Sequence, residues 1–151
     1  MIVGVPKEIK DNEKRVSLTP FGVSELVKNG HQVLIETQAG VGSGFYDDKY
    51  VDSGAKMINT SKEIFNLSDM IIKVKEPQPI EVKMIKEDQI IFTFFHFAAD
   101  SILTSSIIES GCSAISYETV QNADGSLPIL IPMSEVAGRM AVQNGAKCLE
   151  G

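Results

Sequence analysis

Met70-Ile-Ile-Lys-Val-Lys75-Glu76-Pro77 and Gln89-Ile-Ile-Phe-Thr-Phe-Phe95-His96 are the two stretches whose reading decides the fold. Each is a short apolar run that closes on a basic residue and gives way at once to a turn or a helix start. A third run, Ile2 to Val5, opens the chain, and Arg15 sits in the charged loop that follows it. Short apolar runs alternating with helix-like segments are the pattern of a parallel sheet with crossover helices. If the three runs are parallel strands of one sheet, their carboxyl ends share an edge, where open α/β sheets bind ligands. Arg15, Lys75 and His96 then become candidates for a single site.

Working outward, the order of elements keeps to that pattern. Thr19 can cap a first helix, Pro20 suits its first turn, and Gly30 can end it, with Val23, Leu26 and Val27 facing inward. A strand over Gln32 to Glu36 follows, then the glycine-rich turn Ala39-Gly-Val-Gly-Ser-Gly44 and a short helix near Asp47 to Asp52. Ala55 to Ile58 reads as a strand and Thr60 to Leu67 as a short helix. The strand ending at Lys75 leads through Pro77 and Pro79 to a short helix near Ile80 to Ile85. Beyond the strand ending at Phe95, Asp100 or Ser101 caps a helix running to Ser110, with Gly111 as its stop, and Cys112 to Tyr117 is a further strand. Gln121 to Pro132 has no helical pattern, and from Ser134 a long helix runs to the last residues. The reading divides the chain into a domain over 1–132 and a linker helix over 133–151.

The chain has 151 residues, 43% of them hydrophobic, which suits one globular domain with its own core. The net charge of −6, with basic and acidic residues interspersed, argues against nucleic acid and against anionic membranes as partners. Cys112 and Cys148 have no paired spacing for zinc or redox work, so reduced cysteines in a cytoplasmic protein are expected. No leader-like start and no stretch of membrane-spanning length is present.

The glycine turn invites a nucleotide reading and fails it. A dinucleotide fingerprint needs Gly-x-Gly-x-x-Gly before a long helix. Counted from Gly40 the third glycine falls on Phe45, and counted from Gly42 it falls on Asp47. Taken singly, His96 reads as a hydrogen-bonded core histidine, Lys75 as a solvated strand end and Arg15 as part of a solvated face. Their conjunction reads differently. Arginine offers two parallel donors to a carboxylate, lysine offers a compact charge, and an imidazole can exchange a proton with a carbonyl oxygen. A small 2-oxo acid needs that combination.

Gly4-Val-Pro-Lys-Glu8, Asn12-Glu-x-Arg15-Val-x-x-Thr-Pro20 and Gly30-His31 resemble the amino-terminal signature of the alanine dehydrogenase and pyridine-nucleotide transhydrogenase family. Glu36 to Gly44, Asp69 to Pro77, Phe92 to Ala99, Tyr117-Glu-Thr-Val120 and Pro132-Met-Ser-Glu-Val-Ala-Gly138 continue the likeness from end to end. Lys75-Glu-Pro77, Thr93-Phe-Phe-His-Phe-Ala98 and the Met-Ser-Glu-Val-Ala-Gly block resemble the dehydrogenase branch.

The resemblance implies a Rossmann-like or flavodoxin-like α/β substrate domain. It also implies the reversible NAD-dependent deamination of L-alanine to pyruvate and ammonium. Carried over by position, Arg15 and Lys75 hold the substrate carboxylate and carbonyl, and His96 donates and accepts the proton. Ser134 matches a cofactor contact, Met133 lies beside it near the nicotinamide, and Glu118 matches a residue of a magnesium site in some members. Family members go on past the linker helix into an NAD-binding domain and assemble as homo-oligomers, hexamers among them. This chain is therefore expected to be the substrate-binding half, inactive alone. Two other readings stay open. One is a related enzyme, a transhydrogenase alpha subunit or a saccharopine dehydrogenase. The other is a non-catalytic module that binds a 2-oxo acid or pairs with another subunit.

Overall fold

A computed structural model describes residues 1–150, so Gly151, the last residue of the expected linker, lies outside the described residues. Two compact units are present, one of Met1–Ile115 and one beginning at Ser116.

The first unit is built on a sheet of six strands: β1 (Ile2–Val5), β2 (Gln32–Glu36), β3 (Lys56–Ile58), β4 (Met70–Ile72), β5 (Ile90–Thr93) and β6 (Ser113–Ser116). Their order is β3-β2-β1-β4-β5-β6, and the pairings β1 with β2, β1 with β4, β2 with β3 and β4 with β5 are parallel. That is the Rossmann order, and it decides between the two α/β alternatives, because a flavodoxin-like sheet would interleave the strands differently. The connections are α1 (Pro20–Lys28), α2 (Asp47–Asp52), α3 (Ser61–Leu67), α4 (Pro79–Val82) and α5 (Ser101–Ser110). Thr19 caps α1 by accepting the Gly22 N–H, and Asp100 caps α5 by accepting from Ile102 and Leu103. Gly111 ends α5 at φ +68°, where a Cβ would be strained.

Side chains on successive strand residues point to opposite faces, and here both faces are covered. Leu34, Ile71 and Ile91 pack with Ile64 and Phe65 of α3 and with Leu103 and Ile107 of α5. On the other face Val5, Val33 and Ile35 pack with Val23 of α1 and Tyr50 of α2. Burial on both sides explains why these strands read as unbroken apolar runs. Gly4 belongs to this packing. A Cβ there would run into the Ser68 hydroxyl, so only glycine lets α3 lie against β1.

Two strands are shorter than the sequence predicts. β4 stops at Ile72 rather than Lys75, and β5 at Thr93 rather than Phe95. The Val74 N–H bonds to the Glu8 carboxylate at 2.6 Å instead of a ladder partner, and the Thr93 hydroxyl donates to the Lys75 carbonyl at 2.9 Å. Backbone bonds still run from Lys73 N–H to Phe92 O and from Phe94 N–H to Val74 O, but the chain bends at Val74 and Lys75 and side chains share the pairing there. The predicted helix near Ile80 to Ile85 is the shorter α4, begun by a capping box between Gln78 and Glu81.

In the second unit, a turn at Tyr117–Thr119 leads to α6 (Ile131–Cys148). This helix begins three residues before the expected Ser134, because Pro132 fits a first helical turn and its missing N–H costs nothing there.

Candidate active site

The strand order reverses between β1 and β4, and a sheet of this kind opens a crevice where it reverses. The loop after β1 carries Arg15, the segment after β4 carries Lys75, and the segment after the neighbouring β5 carries His96. All three candidates from the sequence thus stand beyond the carboxyl ends of three adjacent strands.

Arg15 is tied down from within its own loop. Its Nε donates to Glu13 Oε1 at 2.9 Å and its Nη2 to Glu13 Oε2 at 2.6 Å, while its backbone N–H bonds to Oε1 at 2.8 Å. The Glu13 side chain is only 7% exposed against 46% for Arg15, so the acid is the anchored partner. The hydrogen bonds from Arg15 hold the Glu13 carboxyl down to about 2, with a further contribution from the Lys75 charge. Arg15 is raised in turn, first by the same pairing. The loop is fastened to its surroundings by the Ser17 hydroxyl, which donates to Ile72 O at 2.7 Å, and by the Ser43 hydroxyl, which donates to Lys14 O at 3.1 Å. A small cleft of about 190 Å³ lies beside it, with Glu8, Arg15 and Gly42 among its walls.

Lys75 is half-buried, its carbonyl fixed by Thr93 and its charge felt by both Glu13 and Glu76. Burial pushes the Glu76 carboxyl up, but its ion pair with Lys10 outweighs that and leaves it below the usual range. His96 is exposed, not a core residue, and its backbone lies in the left-handed region at φ 53°, ψ 41°. The rings of Phe95 and Phe97 stack 4.4 Å apart, with Phe95 in the core, and grip the chain on either side of it.

Sequence reasoning missed the groups that support this edge. Lys73 is fully buried and donates to Glu81 Oε1 at 2.7 Å and Glu8 Oε2 at 3.2 Å. Burial raises the Glu8 carboxyl above its ordinary value, against the pull of Lys73. A lysine inside the apolar run Met70 to Val74 was itself the available signal, since a charge so placed has to be paired. Glu13 stands two residues from Arg15 but looked like part of a solvated face.

Ser134 and Met133 lie in the first turns of α6. The Ser134 N–H donates to Leu130 O at 3.0 Å, which leaves its hydroxyl as the group it can offer a ligand. Ser134 borders a shallow hollow of about 560 Å³ together with Ser126 and Glu135. Glu118 lies in the Tyr117–Thr119 turn. Among the described residues no three His, Cys, Asp or Glu side chains gather to hold a metal ion.

The sheet itself does not fit a dinucleotide. After β1, where phosphates would need a glycine turn, the chain runs Pro6-Lys-Glu8, and the Thr19 hydroxyl already occupies the start of α1.

The first unit is thus an α/β domain of Rossmann strand order that carries an arginine, a lysine and a histidine beyond the carboxyl ends of three adjacent strands, with no glycine turn directly after β1. The chain belongs to the family described as Alanine dehydrogenase/PNT, N-terminal domain, whose profile matches residues 4–137. It is 53% identical over 150 residues to an alanine dehydrogenase of Methanococcus maripaludis, covering 99% of this chain and 40% of that protein. It is 51% identical to the alanine dehydrogenase of Bacillus subtilis, with 99% and 39% covered. A solved L-alanine dehydrogenase matches with a TM-score of 0.92 at 49% identity, over 99% of this chain and 41% of that one. A transhydrogenase from Sinorhizobium meliloti matches with a TM-score of 0.74 at 25% identity, over 78% and 35%. The chain thus spans about 40% of the length of the curated relatives it matches.

Proposed function

We propose that the chain is the substrate-binding half of an NAD-dependent L-alanine dehydrogenase. The observation that carries the reading is the placing of Arg15, Lys75 and His96 after three adjacent parallel strands at the switch point. Arg15 binds the carboxylate of pyruvate or L-alanine, and Lys75 draws electron density toward the carbonyl oxygen. His96 delivers a proton to that oxygen as ammonia adds to the carbon, takes one back from the added nitrogen, and delivers it again as the oxygen leaves as water. NAD would supply or take the hydride and would be held mainly by residues outside this sheet, with Ser134 and Met133 among its contacts. Glu118 is one ligand of a magnesium ion whose other ligands lie elsewhere. The working protein is a cytoplasmic homo-oligomer, a hexamer as its family implies. The transhydrogenase reading is second, supported by a likeness that covers less of the chain at half the identity.

The test is His96→Ala in the full-length gene product. Turnover of L-alanine should fall by roughly two to four decades, the usual share of a general acid–base, with substrate affinity less affected. Near-normal turnover would remove His96 from the chemistry.

A further inference from the structure

The cation that meets the substrate carboxylate is itself bound to a carboxylate of its own loop. We propose that Glu13 is the positioning residue of this site, holding the Arg15 guanidinium by its Nε and Nη2 donors in the plane in which it meets the substrate carboxylate. The inference rests on the reading of Arg15 as the substrate-carboxylate residue.

Three N–H groups of Arg15 converge on the one carboxylate, two from the side chain and one from the backbone. A side-on pair of this kind fixes the plane of the guanidinium, and a planar fork is of use only when its plane is fixed. An arginine side chain otherwise has many rotamers, and each must be frozen out when substrate binds. Glu13 does that freezing beforehand. Its own position is secure: its N–H donates to Lys10 O at 3.1 Å, the next carbonyl is held by Ser43, and Ser17 ties the loop to β4. Glu13 also sets the charge. An ionised Glu13 lowers the positive charge that Arg15 and Lys75 bring to this edge. Because its carboxyl is held down to about 2, Glu13 is ionised throughout the working range of pH. A competitor for the guanidinium would behave in the opposite way, since removing its charge would tighten substrate binding.

Glu13→Gln keeps the shape and removes the charge. In the full-length gene product the KM for pyruvate should rise about ten-fold or more, the scale of a misplaced binding group, while kcat and the KM for NADH stay within about two-fold. In an Arg15→Lys background the same change should alter the pyruvate KM by less than about two-fold, because the partner it acts through has gone. A pyruvate KM unchanged or lowered by Glu13→Gln overturns the proposal, as does an equal rise in the Arg15→Lys background. If no alanine forms at all, the substrate reading falls and the pairing is tested directly by nuclear magnetic resonance, with pyruvate as the probe. A slowly exchanging Arg15 Nε–H that becomes fast in Glu13→Gln, together with weaker pyruvate binding, supports the positioning role. An Nε–H that exchanges equally fast in both proteins overturns it.

Discussion

At φ 53° the His96 backbone occupies a region that costs a non-glycine residue about 1–2 kcal/mol, and the stacking of Phe95 on Phe97 offsets that cost. Strain of this sort at a strand end is consistent with a side chain presented outward for use, and it suits the exposed position of His96. Glu13 shows the same economy in charges. Its carboxyl lies near 2 when folded, against an ordinary value of 4.5. A depressed acid contributes stability that is complete above 4.5 and is lost as pH falls toward 2. Discounted for the exposed arginine, the contribution is of order 1 kcal/mol. Glu13→Gln should therefore be less stable than the parent by that amount at pH 6, with the gap closing between pH 4.5 and pH 2. Denaturant unfolding of both proteins across this range measures it, and a constant gap would mean that the pairing is not the cause.

At the scale of elements, the glycine turn at Gly40 to Gly44 has its explanation in packing. A Cβ on Gly42 would stand 2.6 Å from the Lys14 carbonyl, the residue next to Arg15. The turn is a buttress for the loop that carries Arg15. Gly42→Ala should cost about 1–3 kcal/mol, as overpacking does, and raise the pyruvate KM because Arg15 moves with Lys14. Thermal unfolding and substrate saturation check both effects, and a variant with parental melting and KM would show that the contact is not needed. Much at this scale was legible in the sequence. Thr19, Asp100 and Gly111 cap as their residue types predict, and the apolar runs became strands. The ends of β4 and β5 were not legible, because Val74 is claimed by Glu8 from 66 residues away. The buried Lys73, Glu8 and Glu81 were hidden for the same reason. Each looks like a surface charge until the fold brings the three together.

At the scale of the molecule, the first unit has a core on both faces of its sheet, whereas no residue of α6 is buried. Val136 is 54% exposed and Met140 49%, although helices in proteins draw most of their stability from packing an apolar face. Among the described residues no helix is long and apolar enough to cross a membrane. The family, the parallel sheet and the placing of three residues after its strands were legible before the structure, because short apolar runs and local motifs carry them, whereas the strand order was not, since Rossmann-like and flavodoxin-like sheets read alike in sequence. What the sequence concealed was support: which acid holds which cation across the fold. The central claim is that these residues serve the interconversion of pyruvate and L-alanine while the dinucleotide is held elsewhere. NADH oxidation with pyruvate and ammonium, run side by side on the full-length gene product and on residues 1–151 verified by mass, tests it most directly. The account predicts L-alanine from the first and no measurable turnover from the second, since hydride transfer needs the donor held against the substrate carbon. Robust turnover by residues 1–151 alone, or none by the full-length product, would contradict it.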